Sequence, residues 1–181
     1  GIADLYGTVK AIPAVPGREF HAYATLPGAK QPHRLLVQIP DGFDAAKRCL
    51  IVTASSGSRG VYGAIGSVSA YGLPRGCAVA HTDKGTGTGF FDIASGEGVQ
   101  ADGTRAARGT ALEFDPGTTA AAGETRIAIK HAHSGDNPEV DWGRHVLQAA
   151  RFGLQSLDAA FPQQAPFTAP PPFDRPNAIM R

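Results

Sequence analysis

Two short apolar runs limit what this chain can fold into. Leu50-Ile-Val-Thr-Ala54 follows Cys49, and Ala78-Val-Ala80 follows Cys77. Each run stops abruptly in glycines and hydroxyls: Ser55-Ser-Gly-Ser-Arg-Gly60 after the first, His81-Thr-Asp-Lys-Gly-Thr-Gly-Thr-Gly89 after the second. Neither run alternates, so neither suits a strand with one wet face. An unbroken apolar run fits a strand buried on both sides of a parallel sheet. Residues 61–71 between them read as a helix, which makes the unit strand, loop, helix, strand. In such sheets ligands bind outside the carboxyl ends of the strands, and both loops there are glycine-rich and polar, as a site built from backbone amides requires.

The length of 181 residues suits one domain with a core of its own, and 42% apolar against 18% charged residues is a globular composition. Seventeen basic and 16 acidic residues leave a net charge of +1. With no basic stretch to follow a phosphate backbone, a nucleic-acid partner is not expected. No apolar run reaches the roughly 18 residues that a membrane-spanning helix needs, so no membrane partner is expected either. The chain opens at Gly1 without a signal-peptide pattern, as a processed or partial polypeptide would. The two cysteines open the two apolar runs at equivalent positions. A bridge between them would suit an exported protein, secreted or periplasmic. Two buried thiols acting as small hydrophobes are the other reading, since neighbouring parallel strands offer poor disulfide geometry.

Residues 1–17 read as a loose lead-in. Residues 18–25 alternate, with Phe20, Ala22 and Ala24 against His21, Tyr23 and Thr25. After the Pro27-Gly28 turn, residues 34–39 form a second strand, which predicts a hairpin. Residues 90–123 carry Gly, Ala, Thr and Asp without clear periodicity and read as a long surface excursion. Residues 126–130 are a short apolar segment leading into His131-Ala-His-Ser-Gly-Asp136. Residues 141–161 are the clearest helix, with Trp142, Val146, Leu147, Ala150, Leu154, Leu157 and Phe161 at helical spacing. Six prolines in residues 162–176 make an extended connector, and residues 177–181 open as a strand.

The runs Ser55-Ser-Gly-Ser-Arg-Gly-Val-Tyr-Gly-Ala64, Arg75-Gly-Cys-Ala-Val-Ala-His-Thr-Asp-Lys-Gly-Thr-Gly-Thr-Gly89, Asp102-Gly-Thr-Arg105, Lys130-His-Ala-His-Ser134, Asn137-Pro138 and Asp141-Trp-Gly-Arg144 resemble the D-3-hydroxybutyrate oligomer hydrolase family. More remotely the layout is similar to tannases and feruloyl esterases. The resemblance implies serine esterases, and for this chain an α/β fold: the N-terminal portion of an α/β-hydrolase-like, mostly parallel sheet, incomplete here. In that family the nucleophilic serine follows the strand after the long helix, with the acid and histidine further on. The chain stops before that point. The resemblance therefore implies one hydrolase domain whose N-terminal part is residues 1–181, with Ser, Asp and His supplied by a second polypeptide or a C-terminal continuation. The implied substrate is a small ester or oligoester of 3-hydroxybutyrate.

Ser58 sits where a G-x-S-x-G nucleophile elbow would, between a buried strand and a helix, but Ser56 replaces the first glycine. The resemblance assigns Ser56, Gly57, Ser58 and Arg59 instead to an oxyanion-side loop, whose backbone amides would face the charge that builds on a carbonyl oxygen. A tight turn in which the glycine only relieves strain is the plainer alternative. Gly85-Thr-Gly-Thr-Gly89 has its lysine before the glycines and lacks the spacing of a nucleotide-binding loop. Asp83, Lys84 and Gly85 are candidates to line a substrate pocket. His131 and His133 face the same way if extended, and H-x-H pairs serve zinc hydrolases. Here no further histidine completes the set, so they are assigned to the substrate pocket, and no metal or cofactor is expected. A metal-dependent hydrolase on His131 and His133, a tannase- or feruloyl-type esterase, and a non-catalytic binding remnant are the alternatives.

Overall fold

The computed structural model describes residues 14–29, 32–55, 60–83, 89–100, 103–129 and 140–167. A first sheet has the strand order β1, β2, β4, β3, with β1 at Gly17–Ala24, β2 at His33–Pro40, β3 at Leu50–Ala54 and β4 at Ala78–Thr82. The expected hairpin is present, β1 lying antiparallel to β2 with Phe20 opposite Val37. The expected parallel pair is present too, with Leu50 opposite Ala78 and Ala54 opposite Thr82. Between these halves β2 and β4 run antiparallel, Leu35 opposite Thr82 and Gln38 opposite Val79.

Every second residue of this sheet meets the one long helix, α1 at Trp142–Ala160. Leu35, Val37, Ile39, Val52, Ala78 and Ala80 form a core with Ala149 and Leu157 of α1, and Phe20 and Ala22 of β1 pack at its margin. Small residues bring helix and sheet together. A Cβ on Gly153 would lie 3.0 Å from Leu50 Cδ2 and 3.3 Å from Ala80 Cβ. The opposite face is covered by Gly60–Arg75, where a Cβ on Gly72 would meet Ile51 and Val79. The single helix expected over 61–71 is instead a series of short 3-10, π and α turns. Glycines at 60, 63, 66 and 72 weaken a continuous helix, and Pro74 removes a donor. Gly76 then ends the segment with a φ of 74°, a conformation that suits glycine best.

Cys49 and Cys77 form a disulfide with their Cα atoms 4.7 Å apart, each one residue before the paired positions Leu50 and Ala78. The bridge lies just ahead of the paired strands, so the poor geometry inside a parallel ladder does not apply.

Residues 90–123, read from sequence as a surface excursion, carry most of a second sheet. Its order is β7, β6, β5, β8: Arg105–Ala107, Glu97–Val99, Phe90–Asp92 and Ile127–Ile129, all antiparallel. Each strand has three residues, and Phe91, Ile93 and Phe114 form a small core under them.

The expected mostly parallel, α/β-hydrolase-like sheet is therefore corrected. The described residues form a mostly β structure of two small sheets, with one parallel pairing and one long helix. Parallel neighbours need a long crossover. Only the β3–β4 link, through Gly60–Arg75, provides one between sheet neighbours in the described residues. The strand expected at residues 177–181 lies outside the described residues.

Candidate functional site

The carboxyl ends of β3 and β4 and the amino end of β2 meet at one edge of the first sheet. Four chain segments gather there. Ser55, just after β3, donates its amide to Thr82 O at 2.8 Å. Thr82 Oγ1 in turn donates to Arg34 O at 3.1 Å. Gly89, at the entry to β5, lies against Glu113, and Phe90 pairs with Ile129 at the end of β8. His145, in the first turns of α1, stacks on His33 with ring centroids 4.0 Å apart and planes inclined by 22°.

At the centre is a buried ion pair. Arg34 Nη1 stands 3.6 Å from Glu113 Oε2, with side-chain exposures of 4% and 0%. Arg34 Nη2 donates to Tyr62 Oη at 3.1 Å, and the guanidinium lies 5.3 Å from the centroid of the Tyr62 ring. Glu113 is rooted in the second sheet through its own amide, which donates to Val99 O at 2.8 Å. Asp83 is fully buried at the end of β4. Charges this deep require partners and fixed geometry. Their concentration at the loop-bearing end of the sheet distinguishes that end from the rest of the molecule.

Among the residues nominated from sequence, Asp83 is placed at this cluster. Ser56, Gly57, Ser58, Arg59, Lys84, Gly85, His131 and His133 lie outside the described residues. The neighbours that bracket them are described: Ser55 and Gly60–Tyr62, Asp83 and Gly89, Ile129 and α1. All of these flanks belong to the same end of the fold. Among the described residues, no group of three or more His, Cys, Asp or Glu could hold a metal ion.

The sequence did not single out Arg34, Glu113, Tyr62 or His33. The available signal was Arg34 itself, a lone charge opening the otherwise apolar run Leu35-Leu-Val37. A charged residue in a strand that is covered on both faces must be answered by a partner.

A second polar network crosses the face of the sheet covered by Gly60–Arg75. Ser69 Oγ donates to Gln38 Oε1 at 2.5 Å and lies 2.9 Å from His81 Nε2. Gln38 Nε2 donates to Glu19 Oε1 at 2.6 Å. Burial pushes the His81 pKa down from 6.5 to about 4, against the opposing pull of Glu19. The serine spends its one proton on Gln38, so the neutral His81 carries its hydrogen on Nε2 and donates to Ser69. That polarity is the reverse of a nucleophile and its base, and both residues are buried. The pair holds the covering segment to the sheet.

What fold and cluster define is a mixed sheet with buried charge gathered where its parallel strands end. A family model described as 3HB-oligomer hydrolase matches residues 4–179, and the chain belongs to that family. Curated relatives named D-(-)-3-hydroxybutyrate oligomer hydrolase include one from Paracidovorax citrulli, 44% identical over 84% of this chain and 23% of its own length. One from Ralstonia pickettii is 48% identical over 80% of this chain and 21% of its own length. One from Ralstonia nicotianae is 45% identical over 92% and 24% respectively. The chain thus spans about a quarter of the length of these relatives. No solved structure matches.

Proposed function

We propose that this chain is the pocket-bearing part of a carboxylic-ester hydrolase acting on short 3-hydroxybutyrate oligomers. The observation that carries the reading is the convergence of the flanks of residues 56–59, 84–88 and 130–139 on one buried polar cluster, in a chain of this family. In the proposed reaction a serine hydroxyl attacks the ester carbonyl while a histidine takes its proton. The resulting oxyanion is held by backbone N–H groups of the segment Ser56, Gly57, Ser58 and Arg59, and its collapse expels the alcohol end of the oligomer, whose oxygen takes the proton back from the histidine. Water then attacks the acyl-serine and releases the acid. Serine, acid and histidine are assigned to sequence corresponding to the remainder of the relatives. Asp83, Lys84, Gly85, His131 and His133 line the substrate pocket.

The test is release of 3-hydroxybutyrate from its linear dimer and trimer, together with labelling by a serine-directed fluorophosphonate. The 181-residue chain alone should do neither, and a protein that also carries the remainder should do both. In the latter, Gly57→Val should lower kcat about a hundredfold, the cost of one missing oxyanion donor. Labelling of the 181-residue chain that is lost on Ser58→Ala would make Ser58 the nucleophile and refute the assignment.

A further inference from the structure

We infer that the Arg34–Glu113 pair is the positioning element of this site, pinning together the two points at which its loops return to the fold. The inference rests on the proposed function only for its kinetic consequence. The segment 56–59 returns at Gly60, and two residues later Tyr62 is held by Arg34 through a 3.1 Å hydrogen bond and by the guanidinium over its ring. The segment 84–88 returns at Gly89, and there the Glu113 side chain occupies the space in front of the backbone. A Cβ on Gly89 would sit 2.6 Å from Glu113 Oε2 and 2.8 Å from its Cδ. Arg34 Nη1 and Glu113 Oε2, 3.6 Å apart, join the two returns. The departures are fixed by the same strand end, since Ser55 N binds Thr82 O and Thr82 Oγ1 binds Arg34 O. Arg34 therefore reaches the return at Tyr62 through its side chain and the departure points through its main chain, and Glu113 reaches the return at Gly89.

Stability alone is a poor account of such a pair. Removing both charges from water costs about as much as their attraction returns, and apolar replacements of buried pairs are often neutral or better. What the pair supplies is direction. A planar guanidinium can meet a carboxylate, a phenol oxygen and a ring face in one fixed arrangement, and a lysine ammonium cannot. Held so, the described ends of both segments are fixed relative to each other, and small displacements of a catalytic donor are costly to the rate.

The experiment uses Arg34→Lys and Glu113→Gln in the hydrolytically active protein. Hydrogen exchange of peptides covering 55–62 and 83–89 is followed alongside dimer and trimer hydrolysis. Exchange should quicken in both peptides in both variants, kcat should fall by about ten- to a hundredfold, and KM should stay within about twofold. A lowered urea midpoint with unchanged exchange in both peptides would overturn the inference, since a strut that only joins the sheets behaves that way. Faster exchange in both peptides at unaltered kcat would keep the pin and refute the loops' part in the chemistry, so the two readings fail separately. If a charge variant does not fold, Tyr62→Phe removes one hydroxyl from a half-exposed ring. Its faster exchange should then be confined to 55–62, and no change there refutes the pin.

Discussion

Reducing Cys49–Cys77 isolates the contribution of one cross-link. The cysteines are separated by 28 residues, and the loop they close contains residues 56–59 and the whole covering segment Gly60–Arg75. In the chain-entropy description a loop of about 28 residues removes about 12 cal/mol/K from the unfolded ensemble, or about 3.6 kcal/mol at 25 °C. The native state loses little on reduction, because the strands stay paired through Leu50–Ala78 and Ala78 N still donates to Cys49 O at 3.0 Å. The deficit should therefore appear almost whole. Urea unfolding of oxidised and phosphine-reduced protein reads it directly. With a slope of about 2 kcal/mol/M the midpoint should fall by about 1.8 M. The Cys49→Ala, Cys77→Ala double variant should match the reduced protein to within about 1 kcal/mol and should not respond to reductant, since two small side chains change little else. Unfolding free energies of the oxidised and reduced proteins that agree within about 0.5 kcal/mol would refute the reasoning, because the unfolded chain would then already hold this loop closed.

Three further outcomes follow from particular contacts. Gly153→Leu should cost at least about 1–3 kcal/mol in urea unfolding, because α1 lies directly on Leu50 and Ala80 and overpacking there has no outlet; an unchanged midpoint would mean that α1 is not seated on the sheet there. His81 is held neutral, its pKa pushed down to about 4. The unfolded chain takes up this proton first, so stability should be full above pH 6.5 and fall as pH drops toward 4, by at most about 3 kcal/mol; a slope over that window that persists in His81→Gln would assign it to another group. Gly89→Ala should displace Glu113 and lower stability in urea unfolding by about 1–3 kcal/mol, and a midpoint equal to that of the parent would show that Glu113 can move aside freely.

The parts of this fold that read directly from sequence are those with enough residues to show a period. Phe20, Ala22 and Ala24 alternate over eight residues of β1, and the strand is there. Val146, Ala150 and Leu154 repeat along α1, which spans 19 residues. Ile51-Val52 and Val79-Ala80 announce a strand covered on both faces, and both faces are covered. The second sheet was invisible because its strands have three residues each, fewer than two full alternations. The fold class failed for a different reason. An apolar run shows that a strand is buried but not which direction its neighbour takes, and β4 proves to have one neighbour of each kind. At the site the loops drew attention through their glycines and histidines. The pair beneath them joins residues 34 and 113, which are remote in sequence, and nothing local to Glu113 marks it.

The position of β4 also orders the assembly of the chain in time. The β1–β2 hairpin closes between Ala24 and His33, and β3 finds β4 across one crossover. Joining these halves requires β2 to meet β4, bringing Leu35 to Thr82 across the intervening chain. Loop closure over that distance must be met before any contact rewards it, so within the first sheet this seam is the most demanding pairing to close. The cystine lies wholly within the later half, and it can form before the halves dock. Oxidation then shortens the search by presenting β3 and β4 as one preassembled unit, and the hairpin has a single edge left to find.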